Sequence, residues 1–306
     1  MKGLIIDMNY YEEIKNELID VEVYNTVKEY SKNRYTLEKY YNVGKMIIEA
    51  QGGEERAKYG DGLIKEYAVK LVKEVDKKYD ITTLKRIRQF YLMIQKGATM
   101  WHQLSWSHYR ELLPINNINM INYYINICIN QSLSVRDLKE KIKNKEYDRL
   151  TNETKLKLAT KEDITLMDNI KNPIVIKNKY DTNIISEKML KELILDNIET
   201  FMNELGEGFC YIGNEYKIKL GVVYNYIDIL LYNIKYNCYV VVELKVTELK
   251  KEHIGQIQVY MNYIDENVKT IYQDKTIGII VAKHNNKYVI RYSSNPKVVC
   301  TEFELV

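Results

Sequence analysis

An apolar run closing on Tyr226-Ile227-Asp228 is followed by Val240-Val241-Val242-Glu243-Leu244-Lys245 and then by Gly255-Gln256-Ile257-Gln258-Val259-Tyr260. Side chains alternate between the two faces of a β-strand, so Glu243 and Lys245 point the same way while Leu244 points into the core. A carboxylate and an ammonium therefore share one site. Asn233 and Asn237 are turn formers between the two runs, and a hairpin through Tyr232 to Cys238 lays the Asp228 strand antiparallel beside the Glu243 strand. The two carboxylates can then converge. Two hard oxygen ligands with room for water suit Mg²⁺ (or Mn²⁺), which favours one or two carboxylates plus phosphate oxygens from a substrate. Gln256 and Tyr260, four apart on a helix, add a polar edge on one face.

The short pattern of an acid two residues before a lysine has little value alone. It recurs at Glu13-Ile14-Lys15, Glu215-Tyr216-Lys217 and Glu248-Leu249-Lys250, among others. Context selects Glu243, because only it closes a run of β-branched residues with an aspartate on another apolar strand just upstream.

With Glu204 in Asn203-Glu204-Leu205-Gly206 added, these residues resemble the PD-(D/E)XK nuclease superfamily, in the variant with a Gln-x-x-x-Tyr helix found in RecB-type nucleases. The chain is similar in particular to the YhcG-like family of bacterial proteins. There the nuclease core follows a helical domain with stretches similar to Arg88-Gln89-Phe90-Tyr91, Leu104-Ser105-Trp106-Ser107-His108-Tyr109 and Ser134-Val135-Arg136-Asp137-Leu138. The resemblance runs from about Tyr40 to the end, and Ile227 stands at the motif's proline position. It implies phosphodiester hydrolysis, most simply of DNA. Asp228 and Glu243 are the implied metal ligands, and Glu204, Lys245, Gln256 and Tyr260 complete the catalytic set.

The rest of the chain fits an α+β protein of two domains. Residues 1–150 read as all-α, 151–181 as a polar linker containing Pro173, and 182–306 as an αβββαβ restriction-endonuclease-like domain. In the last of these, Met189, Leu190, Leu193, Ile194, Ile198, Phe201, Met202 and Leu205 trace one core-facing helix ending at Gly206. Strands follow at Phe209–Ile212, Tyr216–Leu220, Val222–Leu231 and Cys238–Val246, then a helix at Glu252–Tyr263 and strands at Thr276–Val281 and Tyr288–Tyr292. Upstream, a helical pattern from Tyr10 is stopped by Gly52-Gly53, and Ser134 with Asp137 forms a capping box opening another helix.

Composition places few further bounds. No run approaches a membrane span, and Met1 to Asp7 lacks a signal peptide's apolar centre, so the cytoplasm is the expected compartment, with no membrane partner. Four scattered cysteines without C-x-x-C spacing argue against zinc and against a disulfide framework. The net charge of +3 is small, but residues 1–150 hold 25 basic against 21 acidic side chains. Between Ile81 and Arg110 there is no acid at all. There Lys85, Arg86, Arg88, Lys96 and Arg110 interleave with Phe90, Tyr91, Trp101, Trp106 and Tyr109, a mixture that attracts phosphates and stacks bases. Arg136, opening the second helix of a helix-turn-helix-like pair, joins Lys85, Arg86, Arg88 and Arg110 as a candidate nucleic-acid contact.

Blander readings stand beside these. Trp106, Tyr109 and Leu112 at helical spacing also suit core packing, and Tyr260 can pack beneath Val259 and Tyr263. Glu243 and Lys245 can form a plain ion pair. A catalytically silent nucleic-acid-binding or complex-forming protein retaining the nuclease fold is the alternative, and the sequence leaves open whether the chain forms a homo-oligomer.

Overall fold

Residues 8–51, 61–99, 102–180, 182, 184–292 and 295–306 are described by a computed structural model of the chain. Gly52, Gly53, Trp101 and the first seven residues lie outside them. The chain divides into two compact units, Met1–Tyr147 and Asp148–Val306.

The described part of the first unit is helical: α1 (Met8–Ala50), α2 (Asp61–Glu74), α3 (Ile81–Gln95), α4 (Trp106–Leu112), α5 (Ile118–Asn130) and α6 (Val135–Lys143). Asp80 caps α3 by accepting from the Thr83 N–H at 2.7 Å. Ser134 and Asp137 form the expected capping box at α6. Ile47, Ile64, Ala68, Leu84 and Ile87 from α1 to α3 pack into one core. Gly44 sets the α1–α3 approach, since a Cβ there would stand 2.6 Å from the Ile87 carbonyl oxygen and 2.7 Å from Tyr91 Cβ. No helix among the described residues is long and apolar enough to cross a membrane.

The second unit is built on a mixed sheet. Its elements are α7 (Asn152–Thr160), β1 (Ile174–Ile176), α8 (Glu187–Asp196), α9 (Ile198–Leu205), β2 (Phe209–Leu220), β3 (Val223–Asn233), β4 (Cys238–Glu248), α10 (Lys251–Asn267), β5 (Asp274–His284), α11 (Lys287–Tyr292) and β6 (Val298–Leu305). Strand order is β1-β6-β5-β4-β3-β2. The β2–β3 and β3–β4 pairs are antiparallel, whereas β4–β5, β5–β6 and β1–β6 are parallel. The unit thus holds the expected αβββαβ core, and the chain is α+β with a helical N-terminal region.

Helices cover both faces, which is why the central strands read as continuous apolar runs. Val240, Val242 and Leu244 of β4 join Leu190, Leu193, Ile194, Phe201 and Leu205 of α8 and α9 in one core. Val241 turns the other way, to Ile254, Ile257, Tyr260, Met261 and Ile264 of α10.

Several sequence expectations are corrected. The single helix over 187–205 is two, broken at Asn197 (φ −133°, ψ 41°). The runs Phe209–Ile212 and Tyr216–Leu220 form one strand, because the break suggested by Gly213-Asn214 is absorbed as a register shift between Tyr211 and Gly213. The stretch 151–181 is no linker: Thr151 caps α7, and β1 buries Ile174 and Ile176 while pairing with β6. Tyr288–Tyr292 lies in α11 rather than a strand, because Asn286 Oδ1 accepts from the N–H groups of Tyr288 and Val289 and so opens a helix. The last strand is β6. Of the four cysteines, Cys128 and Cys238 are buried, Cys300 is half-buried and Cys210 is exposed on β2.

A methyl added at Gly44 meets backbone rather than a flexible side-chain tip, so Gly44→Ala is expected to cost about 1–3 kcal/mol through overpacking. Gly62→Ala, with nothing within 4 Å of the added Cβ, should be neutral or slightly stabilising. Thermal unfolding of the full chain checks the pair: equal midpoints for the two variants would show that the α1–α3 contact is looser than described.

Candidate active site

Asp228 and Glu243 lie where β3 and β4 part. Backbone pairing runs from Asn233↔Cys238 to Ile229↔Val242 and goes no further. Beyond that point Asp228 takes the ladder's place, its Oδ2 accepting the Leu244 N–H at 3.0 Å. The fork places one carboxylate from each strand at the same end of the sheet, and Leu244, fully buried, anchors β4 beneath them.

Glu243 is only 3% exposed. Its Oε1 accepts from Lys245 Nζ at 2.8 Å, while Oε2 is buried with no hydrogen-bond partner. Burial first, and the Asp228 charge second, raise the carboxyl from its ordinary 4.5 to about 7, against the pull of Lys245. Burial works against the Lys245 ammonium, but Glu243, Glu187 and Asp228 hold its pKa above the usual lysine value. The two partners thus stabilise each other's charge incompletely, since one carboxylate oxygen stays dry and unbonded.

Residues that the sequence reading passed over complete the surroundings. Lys191 of α8 binds Asp228 Oδ1 at 2.9 Å and Glu215 Oε1 at 3.2 Å. Glu187, one turn earlier on the same helix face, stands 3.7 Å from Lys245 Nζ. Glu215 holds a left-handed backbone (φ 49°), uncommon for a non-glycine residue. The available signal was the Glu187/Lys191 spacing at the wet edge of an apolar helix. The carboxylates of Glu187, Glu215, Asp228 and Glu243 thus surround two ammonium groups, leaving a negative surplus that suits a cation.

The structure brings Asp228, Glu243 and Lys245 together; Glu204 is engaged elsewhere, and Gln256 and Tyr260 bond to each other on α10. Glu204 is buried and receives both arms of Arg149, Nη1 on Oε2 and Nη2 on Oε1 at 3.1 Å, while Oε2 also accepts the Val175 N–H at 2.9 Å. Burial opposes its charge, but the Arg149 hydrogen bond and the nearby Lys171 keep its pKa below the ordinary value. Val175 is on β1, four strand spacings from β3 in the sheet order, about 19 Å at the usual spacing. Glu204 is therefore a tie between Arg149, α9 and β1. Gln256 Nε2 donates to Tyr260 Oη at 2.9 Å, and Tyr260, 5% exposed, packs with Ile257 and Met261 in the α10 core.

The nucleic-acid candidates divide likewise. Arg86, Arg110 and Arg136 are exposed, whereas Lys85 and Arg88 are half-buried, with Arg88 donating to Gln51 Oε1 at 3.3 Å. Among their described aromatic neighbours, Phe90 and Tyr109 are fully buried and, with the half-buried Trp106 and Tyr40, form edge-to-face ring contacts, while Tyr91 is half-buried; Trp101 lies outside the described residues. The apolar periodicity of these helices outweighed the charge pattern.

Among the described residues no group of three or more His, Cys, Asp or Glu side chains stands ready-made around a metal. The donor chemistry at the fork nonetheless fits a hard divalent cation, because Asp228 and Glu243 offer carboxylate oxygens and Glu243 Oε2 is buried without a partner.

Comparison with known proteins bears on both units. Residues 167–305 match the family model described as "YhcG PDDEXK nuclease domain", and residues 19–149 match "DUF1016 N-terminal domain". The chain is 25% identical over 303 residues to "Putative nuclease YhcG" of Escherichia coli (strain K12), covering 86% of this chain and 80% of that one. Among solved structures, "Structure of EndoMS-dsDNA2 complex" superimposes at 22% identity and a TM-score of 0.28, covering 42% of this chain and 48% of that chain. A repair endonuclease from Pyrococcus abyssi gives 22% identity, a TM-score of 0.28, and coverage of 42% and 49%. The superposition thus spans about half the length of those two structures.

Two measurements check the contrast between the buried carboxylates. The fold raises the Glu243 carboxyl to about 7, so the destabilising effect of its buried charge is absent below pH 4.5, grows between 4.5 and about 7, and is complete above. In a chelator, the Glu243→Gln variant should match the wild-type unfolding midpoint at pH 4.5 and exceed it at pH 8; the reverse order would show that Glu243 is adequately paired. Arg149→Met should lower stability by about 3–5 kcal/mol by stranding Glu204, and adding Glu204→Gln should restore part of the loss. An additive double variant would deny the pairing.

Proposed function

We propose that the chain, whose residues 19–149 match the DUF1016 N-terminal domain and 167–305 the YhcG PDDEXK nuclease domain, is a Mg²⁺-dependent nuclease hydrolysing phosphodiester bonds in DNA within the cytoplasm. The observation that carries the reading is Glu243: a carboxylate almost wholly buried, beside Asp228, with one oxygen unbonded. An ordinary structural carboxylate in this chain looks like Glu204, with both oxygens satisfied. Burying a carboxyl group with an unmade bond is costly, and a ligand that completes it recovers the cost.

In this reading Asp228 and Glu243 hold the divalent ion, which Mn²⁺ can replace. When bound, the ion supplies Lewis-acid stabilisation of phosphate charge and lowers the pKa of a coordinated water. Lys245 Nζ, already 2.8 Å from Glu243, orients the attacking water and offsets charge developing on the phosphate. Lys191, held between Asp228 and Glu215, fixes the Asp228 carboxylate and adds positive charge facing the backbone. Glu187 positions Lys245 from the helix side. Gln256 and Tyr260 serve as a hydrogen-bonded brace of the α10 face rather than as metal ligands. In the helical unit, Arg86, Arg110 and Arg136 are exposed and contribute phosphate attraction independent of sequence.

Titration calorimetry with Mn²⁺ and a labelled DNA cleavage assay test this together. Asp228→Asn and Glu243→Gln should abolish or strongly weaken Mn²⁺ binding and stop cleavage. Lys245→Ala should retain metal affinity, having lost a positive neighbour, while losing cleavage by on the order of a hundredfold or more. Wild-type Mn²⁺ affinity in both carboxylate variants would remove Asp228 and Glu243 as the ligands.

A further inference from the structure

β2 and β3 do not end with the sheet. From Asp228 outward β3 leaves β4, yet its pairing with β2 continues through Ile227↔Tyr216 and Tyr226↔Lys217 to Val223↔Leu220. The result is a two-stranded arm closed by Gly221-Val222, with Gly221 at φ 63°. The arm has two unlike faces. Tyr216, Ile218, Leu220 and Ile227 pack against the α10 core. Lys217 and Lys219 lie opposite Tyr226 and Tyr224 in register, so these four share the other face.

That face is open. Tyr224 and Tyr226 are 51% and 52% exposed, and both lysines are exposed. Lys217 Nζ lies 3.9 Å, and Lys219 Nζ 5.8 Å, from the Tyr224 ring centroid. No acid occurs between Tyr216 and Ile227, so the lysines are the arm's only charged side chains. Tyr226 and Tyr224 precede Asp228 by two and four residues, about 7 and 14 Å along a strand.

We infer that this face holds an unpaired strand of nucleic acid, its bases stacked on Tyr226 and Tyr224 and its phosphates met by Lys217 and Lys219, so that the strand is led to Asp228. The inference rests on the nuclease reading for what happens at Asp228, but not for binding itself. An unpaired strand is selected because exposed rings on a ribbon can stack only on base faces that a duplex hides within its own stack. The positive arm complements the backbone, and its continuity with the carboxylate fork supplies direction. In the acid-free stretch 81–110, by contrast, Phe90 and Tyr109 are buried and offer no ring face to a base.

The experiment uses the full chain in EDTA, with fluorescein-labelled oligo-dT and a duplex of equal length followed by anisotropy across a salt series. Wild type should bind oligo-dT more tightly than duplex. Y224A/Y226A should weaken oligo-dT binding at least tenfold and Y224F/Y226F should retain it, while unfolding midpoints stay at the wild-type value. K217Q/K219Q should lower the slope of log affinity against log salt by about 1.4, two phosphates on a single strand. An oligo-dT carrying 5-iodouracil should cross-link on irradiation to a peptide containing Tyr224 or Tyr226, a readout on the wild-type chain that does not depend on the variants folding. Unchanged oligo-dT affinity in the tyrosine double variant, equal or tighter binding of duplex, or cross-links confined to other segments would each overturn the inference. The two readings fail separately: loss of oligo-dT binding in the arm variants without cleavage under any metal leaves the arm and removes the nuclease, whereas metal-dependent cleavage with unaffected arm variants does the opposite.

Discussion

The burial of Glu243 beside Asp228 is the constraint on which the second unit's organisation turns. A carboxylate carried into a dry interior needs its oxygens bonded or its charge matched, and otherwise holds a proton. Glu204 and Glu243 are both buried in this unit and show the two solutions. Glu204 has Arg149 on both oxygens and the Val175 N–H besides, and its pKa falls. Glu243 has one lysine on one oxygen and a neighbouring aspartate, and its pKa rises to about 7. The difference in the free energy of ionisation, on the order of 3 kcal/mol for Glu243 alone, is a standing cost with no structural return. Such a cost is tolerated where a site is kept ready for a ligand.

The fold secures that arrangement by making its core rigid and its edge open. β4 is buried on both faces, with Val240, Val241, Val242 and Leu244 fully covered, so Glu243 cannot swing out without moving the centre of the sheet. β3 parts from β4 just beyond Ile229, and the side chain of Asp228 replaces the backbone bond that the parting would otherwise leave unmade at Leu244. α8 lies over the fork and presents Lys191 and Glu187 from one face, fixing the charge balance without filling the gap at Glu243 Oε2.

Much of this was legible in the residues because strand periodicity and turn chemistry agree. The alternation through Val242-Glu243-Leu244-Lys245 assigned the faces, and Asn237 adopts the left-handed turn conformation (φ 47°) that joins the strands. Glu204 misled because a carboxylate near a helix end carries no mark of its partner: Arg149 is 55 residues away in sequence and is brought to it only by tertiary packing. The same holds for Lys191 and Asp228. α11 and β6 were lost to a local ambiguity, since Tyr288-Val289-Ile290 has the composition of a strand and only the Asn286 side chain turns it into a helix. Residues 151–181 looked like a linker because β1 is three residues long, too short for any periodicity to show.

The stretches 81–110 and 216–227 both lack acids and mix tyrosine or other aromatics with basic residues, and their fates differ for a physical reason. In the helical stretch Phe90 and Tyr109 lie on the apolar faces of their helices and are drawn to the interior, leaving exposed arginines at Arg86 and Arg110. What remains there is charge, which attracts any phosphate backbone and is weakened by salt. In the β2–β3 arm the period is two, one face is already occupied by Ile218 and Ile227 against α10, and the alternate residues Tyr224 and Tyr226 have nowhere to go but out. A similar composition therefore yields general attraction when folded as helix and a stacking surface when folded as ribbon, and it is the ribbon that leads into the carboxylate fork.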